Sequence, residues 1–160
     1  MVAAVATDEP QIAPKAALAV VEIMDDEFVA IGPREAKLPQ RLTPAGLSRR
    51  PLVLFEPAAN TRVLIDEWFG AAGDMPAPVM ELGSVEAIKG MVGAGLGLSI
   101  VPSMSLPARP RDLSVARLSP PLNRSLALIL RRDKPLTRGL REVVRAVQDQ
   151  ATARTKRARV

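Results

Sequence analysis

Residues 83–102 are GSVEAIKGMVGAGLGLSIVP, a stretch that predicts a helix, a glycine-rich turn and a buried strand in that order. Ser84 is a preferred N-cap residue, and Val85, Ile88 and Val92 recur at the spacing of one helix face. Three glycines follow, and glycine ends helices because it adopts a positive φ at no steric cost. The apolar run after them is continuous, as in strands covered on both faces. The stretch therefore predicts an α/β fold.

The same alternation of short strands and amphipathic helices continues on both sides of this stretch. One helix is expected to begin with Asn60 or Thr61 as its N-cap and to end before Gly73. Another is expected to begin at Thr137 and to carry an apolar stripe. Short apolar runs predict strands at residues 2–6, 28–31, 52–55, 79–82, 98–101 and 126–130.

The composition excludes several classes of enzyme and of metal site. Cys, His and Tyr are all absent, which removes thiolate nucleophiles, imidazole bases and the nitrogen and sulfur ligands of zinc. The acidic run Asp25, Asp26 and Glu27 predicts a solvated turn before the next strand rather than a cation site. No cofactor and no metal are expected. The missing cysteines fit a reducing, cytoplasmic setting.

The glycine cluster does not match a dinucleotide-binding loop. That motif needs a third glycine at position 98, which is Leu98, and it needs the order strand, glycine loop, helix. Ser99 does not match a hydrolase nucleophile either, because Val101 replaces the second glycine of the elbow and no histidine is available as the base. The sequence therefore predicts that the protein is not an enzyme.

The formal net charge of +5 is concentrated at the carboxyl end. Residues 151–160 carry four basic side chains and no acidic one, so the remainder of the chain carries only +1. This basic tail is expected to be frayed and solvated, with nonspecific phosphate contact as the alternative. The first ten residues lack a signal peptide pattern, and no apolar run is long enough to span a bilayer, so we expect a soluble protein with no membrane partner.

Two helix starts carry the groups that could hold a small molecule. At Asn60, Thr61 and Arg62, the free N–H groups of a first helical turn coincide with polar side chains and a guanidinium. At Gly83 and Ser84, a second helix begins directly after a strand. In open α/β sheets, ligands bind beyond the carboxyl ends of the strands, where both helix starts are expected. Simple helix capping is the alternative role.

The stretch at residues 83–102 resembles the effector-binding domain of LysR-type transcriptional regulators. In that family, a helix with an E-A-I-K-like start leads into A-G-L-G, an apolar strand and a proline. The matching residues are Glu86, Ile88, Val92, Ala94, Gly95, Leu96, Gly97 and Pro102. The resemblance continues in VAAVA at 2–6, EFVAIGP at 27–33, LTPAGLSRRPLVLFEP at 42–57, NTRVLIDEWFGAAG at 60–73 and LALILRRDKPLTRGLREVVRAV at 126–147.

The resemblance implies a type II periplasmic-binding-protein-like fold, with one complete lobe plus an incomplete second lobe. Residues 33–100 would form the complete lobe, residues 1–32 and 101–150 the partial first lobe of the family, and residues 151–160 the basic tail. The family's winged helix-turn-helix would precede Met1. Transferred residue by residue, the effector-binding positions are Gly32, Asn60, Thr61, Arg62, Gly83 and Ser84.

The resemblance therefore implies a regulatory domain that binds a small-molecule effector and makes no specific DNA contact of its own. The helix starts and Arg62 favour an anionic effector. The expected partners are LysR-type subunits, in homo- or hetero-oligomers in the cytoplasm. The alternative function is a headless subunit that forms mixed dimers with an intact regulator, and an enzyme on the same scaffold ranks last.

Overall fold

In a computed structural model, residues 3–6, 18–133 and 137–158 are described, with side chains over 18–133 and 137–151. The chain divides into two compact units. The flanking unit comprises Met1–Asp26 and Arg124–Val160, and the central unit comprises Glu27–Asn123. None of the helices in the described segments is long and apolar enough to cross a membrane.

The strands and helices alternate between β3 and β6, as in an α/β protein, while strands predominate on either side. The strands are β1 (Ala3–Ala6), β2 (Leu18–Pro33), β3 (Arg41–Leu42), β4 (Val53–Phe55), β5 (Met80–Leu82), β6 (Ser99–Pro102), β7 (Leu113–Leu118) and β8 (Asn123–Arg131). The helices are α1 (Pro44–Ser48), α2 (Asn60–Gly70), α3 (Val85–Gly93) and α4 (Arg138–Ala158), with 3₁₀ turns at Arg34–Ala36 and Ser103–Ser105.

The central unit is built on the second half of β2, which pairs antiparallel with β6 on one side and with β7 on the other. β3 then adds parallel to β7. Beyond β6, a parallel bridge between Leu52 and Leu98 leads to β4, which pairs parallel with β5. Two backbone hydrogen bonds secure the bridge, from Val53 to Leu98 at 2.8 Å and from Leu98 to Pro51 at 2.9 Å. Both helix starts of interest follow strands of this parallel pair.

A hydrophobic core fills the central unit, and aliphatic side chains supply most of it because only 2% of residues are aromatic. Leu, Ile and Val from β2, β4 and β6 pack against the apolar faces of α2 and α3. Trp68 also belongs to this core, and its Nε1 donates to the carbonyl oxygen of Pro120 at 2.8 Å. Fully buried members include Phe28, Ile31, Leu54, Ile65, Phe69, Ile88 and Ile100.

Glycines end α2 and α3, as the sequence predicts. Gly73 and Gly95 have φ of 77° and 87°, and each follows shortly after its helix. The following N–H groups bond back to the last turns, from Asp74 to Phe69 at 3.0 Å and from Leu96 to Met91 at 3.1 Å. The structural interpretation of the glycine cluster is thereby confirmed.

Gly97 has a different role from the helix-ending glycines. A Cβ at this position would lie 2.5 Å from the carbonyl oxygen of Pro51, closer than real Cβ atoms come. The close approach is needed because Pro51 accepts the hydrogen bond of Leu98. A glycine at 97 therefore permits the bridge between β4 and β6.

In the flanking unit, β1 pairs antiparallel with β8, from Ala3 opposite Ile129 to Ala6 opposite Leu126. Thr137 caps α4 as predicted, because its Oγ1 accepts from the N–H of Leu140 at 3.3 Å. The sequence predicted a frayed tail over residues 151–160, but α4 continues through Ala158. The predicted conformation was therefore wrong up to that residue. Residues 159–160 lie outside the described residues.

The expected turn at Asp25, Asp26 and Glu27 was also wrong, because all three residues lie inside β2. Asp26 is 1% exposed, and its Oδ2 accepts from Arg124 Nε at 3.1 Å and Nη2 at 2.9 Å. A charge can be buried when a partner of opposite charge hydrogen-bonds to it. That partner lies 98 residues away in sequence, so local pattern does not reveal it.

The compact units have different bounds from the predicted lobes. Residues 101–123 belong to the central unit, because β6 and β7 both hydrogen-bond to the second half of β2. Two further strands, β3 and β7, had not been expected from the sequence. The assignment of residues 33–100 and of 1–32 with 101–150 to lobes of the family stays a prediction.

Candidate functional site

The parallel pairing of β4 and β5 brings two helix starts to one edge of the central unit. Phe55 lies opposite Leu82 at the carboxyl ends of the strands. α2 follows the first strand and α3 the second. We call residues 56–62 and 81–86 the helix-start edge. It contains five of the six predicted site residues, namely Asn60, Thr61, Arg62, Gly83 and Ser84.

Neither helix start is closed by the side chain of its N-cap residue. The N-cap of α2 is Ala59, not Asn60 or Thr61 as predicted, and an alanine has no oxygen to offer. Ser84 is the N-cap of α3 as predicted, yet its hydroxyl makes no capping hydrogen bond. The first N–H groups of a helix have no partner within the helix. Both starts therefore leave donors for a ligand or for water.

Arg62 is the predicted site residue whose role the structure changes most. It is 8% exposed, and its Nη1 donates to the carbonyl oxygen of Phe55 and to Glu81 Oε1, each at 2.7 Å. Its Nε donates to Asp66 Oδ1 at 2.8 Å and Oδ2 at 3.0 Å. Arg62 thus links α2 to the ends of β4 and β5.

The charged partners of Arg62 also set its protonation. Burial by itself would lower the pKa of Arg62, but hydrogen bonds to Glu81 and Asp66 and the charges of both carboxylates raise it above the ordinary value. The guanidinium stays charged, and two carboxylates neutralise it. The expectation that Arg62 favours an anionic effector is therefore not supported by its geometry.

Glu56 is a site residue that sequence reasoning missed. A Cβ at Gly83 would lie 3.0 Å from Glu56 Oε1 and 3.3 Å from Oε2, so this carboxylate lies directly over Gly83. The backbone N–H of Glu56 also donates to the carbonyl oxygen of Leu82 at 3.2 Å. The signal in the sequence was an acidic residue immediately after a buried strand.

The helix-start edge carries more negative than positive charge. Its two ranges contain three carboxylates, Glu56, Glu81 and Glu86, and one guanidinium, Arg62, a net charge of −2. Glu86 Oε1 accepts from Lys89 Nζ at 2.6 Å, and Lys89 also donates to the carbonyl oxygen of Ser105 at 2.8 Å. Backbone amides that attract negative groups thus lie beside carboxylates that attract positive ones.

Gly32 is not brought to the helix-start edge. A Cβ at this position would lie 2.7 Å from Leu98 Cδ2 and 3.3 Å from Leu38 Cδ1. Leu98 precedes β6, which is parallel to β4, so Gly32 lies toward the amino ends of these strands. The helices begin beyond the opposite, carboxyl ends. The geometry gives Gly32 a packing role, and its assignment to a ligand stays a prediction.

The arrangement at the helix-start edge is suited to binding a small molecule by hydrogen bonds. It offers backbone donors from two helices, the hydroxyls of Thr61 and Ser84, the amide of Asn60 and the carboxylate of Glu56. No group of three or more Asp, Glu, His or Cys side chains that could hold a metal ion occurs within the described residues.

Residues 3–152 match the family described as LysR substrate binding domain. The HTH-type transcriptional regulator CbbR of Xanthobacter flavus is 40% identical over 103 residues, which are 61% of this chain and 30% of that protein. The uncharacterized HTH-type transcriptional regulator YfeR of Shigella flexneri is 34% identical over 103 residues, 64% of this chain and 33% of that protein. The chain thus spans 30–33% of the length of these two relatives.

Solved structures share the fold at low sequence identity. The regulatory domain of CcmR from Synechocystis PCC6803, in complex with 2-PG, aligns with a TM-score of 0.78 at 18% identity, covering 94% of this chain and 73% of that one. HinK, a LysR family transcriptional regulator from Pseudomonas aeruginosa, aligns with a TM-score of 0.77 at 19% identity, covering 94% and 52%. The predicted mixed α/β fold, similar to type II periplasmic binding proteins, is confirmed by this likeness.

Proposed function

Because the chain belongs to the LysR substrate binding domain family, the effector-binding domain of LysR-type transcriptional regulators, we propose that its helix-start edge contacts the effector. The observation that carries the proposal is the pair of uncapped helix starts side by side at the ends of β4 and β5. Unpaired amides at a helix start bind hydrogen-bond acceptors with little reorganisation. Asn60, Thr61, Gly83 and Ser84 supply these contacts.

The effector is a small polar molecule with both an acceptor and a donor group. Its acceptor, a carboxylate, phosphate or carbonyl oxygen, meets the amides of the two helix starts. Its donor, a hydroxyl or amine, meets the carboxylate of Glu56 above Gly83. An anionic effector is held by the amides and not by Arg62, whose donors bind Phe55, Asp66 and Glu81. The complex of the CcmR regulatory domain with 2-PG supports a small-molecule effector.

The proposal extends to partners and location. Relatives of this chain are transcriptional regulators, so the protein acts through LysR-type subunits in an oligomer and performs no catalysis. A cytoplasmic location follows from action on transcription. Specific operator contact is assigned to other parts of such an assembly and not to the residues described for this chain.

The test is a ligand screen followed by calorimetry on matched variants. Small carboxylates, aromatic acids and phosphorylated hydroxy acids, 2-PG among them, are screened by thermal shift. Gly83→Ala adds a methyl group beside the exposed Glu56 side chain, which is free to move, so the fold is kept while the space over α3 is filled. We expect this variant to weaken the ligand about tenfold, equal to 1.4 kcal/mol.

The matched control is Gly90→Ala, also on α3, where an added Cβ meets nothing within 4 Å. It should leave the affinity unchanged. Glu56→Gln should weaken a ligand that carries an amine more than one that carries a hydroxyl, because it removes the charge. Failure of every ligand to stabilise the folded protein, or equal affinity in Gly83→Ala and the unmodified chain, would refute the proposed site.

A further inference from the structure

A second concave surface lies away from the helix-start edge. This groove of about 440 Å³ is lined by Arg34, Arg109, Pro110, Arg111 and Leu113. We call it the arginine groove. Pro33 lies opposite Leu113 in the pairing of β2 with β7, which brings the residue after β2 next to the loop before β7. The groove therefore lies, like Gly32, toward the amino ends of β4 and β6, whereas the helices start beyond the carboxyl ends of β4 and β5.

Among the described residues, the three guanidinium groups of the groove lack carboxylate partners. None of them forms an ion pair within that part of the chain. Arg34 Nη1 instead donates to the carbonyl oxygen of Arg111 at 3.2 Å, which holds its side chain across the groove. Pro110 fixes the backbone between the other two arginines. This contrasts with Arg62, whose donors are used by carboxylates.

The distribution of charge in the central unit directs an anion to this groove. The unit as a whole is nearly neutral, with ten basic and nine acidic side chains. Its helix-start edge has a net charge of −2, whereas the five residues that line the groove carry +3, offset in part by their sequence neighbours Glu35 and Asp112, which do not line it. Potential of one sign in a concave surface concentrates ions of the opposite sign. The arginines therefore favour an anion in the groove.

We propose that the arginine groove is a binding site for a small phosphate-bearing anion. Guanidinium groups present planar pairs of N–H donors that match two oxygens of one phosphate, and three of them suit a group of charge −2 or more. The volume fits a ligand with one or two phosphate groups and is at the lower end of small-molecule sites. The site is separate from the effector site proposed above, so it gives the central unit a second ligand.

The direct test is isothermal titration calorimetry of the whole chain with pyrophosphate at low ionic strength. The double variant Arg109→Ala, Arg111→Ala keeps the carbonyl group that Arg34 uses and removes two of the three cations. We expect it to bind pyrophosphate about tenfold more weakly or worse. Raising the salt concentration should also weaken binding, because exposed charges are screened.

The matched control is the double variant Arg49→Ala, Arg50→Ala, which removes the same charge from exposed positions outside the groove. It should bind pyrophosphate as the unmodified chain does. An equal loss of pyrophosphate affinity in both double variants would mean that the net charge of the protein attracts the anion without a specific site, and would overturn the proposal. So would the absence of any pyrophosphate binding.

Two further measurements distinguish a small-anion site in the groove from binding at the helix-start edge and from a nucleic-acid contact. Gly83→Ala should leave pyrophosphate binding intact, so failure of the groove and failure of the helix-start edge give different results. A short DNA duplex should not compete with pyrophosphate at equal phosphate concentration. Strong competition by the duplex, lost in Arg109→Ala, Arg111→Ala, would identify the groove as a nucleic-acid contact and would overturn the small-anion assignment.

Discussion

Arg62 is the residue that connects most polar groups in the central unit by its side chain. Arg62→Ala leaves the carbonyl oxygen of Phe55 and the carboxylates of Asp66 and Glu81 without their donor. Because the two carboxylates are 42% and 40% exposed, water recovers part of the loss. We expect the free energy of unfolding to fall by about 2 kcal/mol in urea denaturation.

Arg49→Ala is the comparison for this measurement, since Arg49 is exposed and should change the free energy of unfolding by about 0.5 kcal/mol or less. A loss in Arg62→Ala no larger than in Arg49→Ala would show that the hydrogen bonds of Arg62 add nothing to the fold. The position of Arg62 could be predicted from sequence, but its partners on the strands could not. Asp66 is a local partner four residues on in α2, whereas Glu81 depends on the register of β4 and β5, which places it beside Leu54.

Ser99 is buried in β6 at 0% exposure, and its hydroxyl has no hydrogen-bond partner among the described residues. An unsatisfied buried hydroxyl costs free energy, so its removal should not harm the fold. Ser99→Ala should raise the free energy of unfolding by up to about 1 kcal/mol. Ser114→Ala should instead lower it by about 1 kcal/mol, because Ser114 Oγ accepts from the N–H of Leu38 at 3.1 Å. A lower free energy of unfolding for Ser99→Ala than for Ser114→Ala would contradict this prediction.

At the scale of elements, two glycines in the α3–β6 segment should respond oppositely to alanine. At Gly97, the added Cβ would meet the Pro51 carbonyl oxygen at 2.5 Å and would force β4 and β6 apart, at a cost of about 2–4 kcal/mol. At Gly90, inside α3, nothing lies within 4 Å, so alanine should stabilise by about 0.5–1 kcal/mol through helix propensity. Thermal unfolding of both variants tests this prediction. Similar shifts in Tm for Gly97→Ala and Gly90→Ala would argue against the close contact between residue 97 and the carbonyl oxygen of Pro51.

The same segment shows what sequence alone can determine. α3, its glycine end and β6 were predicted correctly because helical spacing, capping and glycine conformation are local properties. β7 was missed, since polar Ser114 and Arg117 interrupt the apolar run LSVARL and its pairing partner β2 lies far earlier in the chain. The acidic residues of β2 were misassigned for the same reason, because Arg124 supplies the charge that allows Asp26 to be buried.

In the candidate site, too, local features were predictable from the sequence and long-range contacts were not. Its helix starts were predictable, because a strand followed at once by a helix is visible in the sequence. The role of Glu56 was not, since only the parallel pairing of β4 and β5 brings its carboxylate over Gly83. The distance of Gly32 from the helix-start edge was not predictable either, because the direction of β2 relative to β4 depends on β6, which lies between them in the sheet.

At the scale of the whole molecule, the central unit has the properties of an independently folding domain. Its hydrophobic core lies entirely between Phe28 and Leu122 in sequence. The two ends of the unit meet, because the N–H of Phe28 donates to the carbonyl oxygen of Leu122 at 2.8 Å. A fragment of residues 27–123 should therefore fold alone.

The expected result for this fragment is a single cooperative thermal transition and a circular dichroism spectrum of mixed α/β type. The core variant Ile88→Ala, which empties a fully buried position, should lower its unfolding free energy by about 2–5 kcal/mol. A fragment that shows no cooperative transition would mean that the flanking unit is required for the central unit to fold.

The meeting of Phe28 and Leu122 also limits how such a gene can recombine. Exchange at both junctions together would transplant β6 and β7 with all of their hydrogen-bonded neighbours. Exchange at one junction would pair the β1 of one parent with the β8 of another and would separate Asp26 from its own Arg124, and a mismatch in register would turn buried side chains of β8 outward. Natural recombination that exchanges residues 27–123 should therefore have paired breakpoints near residues 27 and 123.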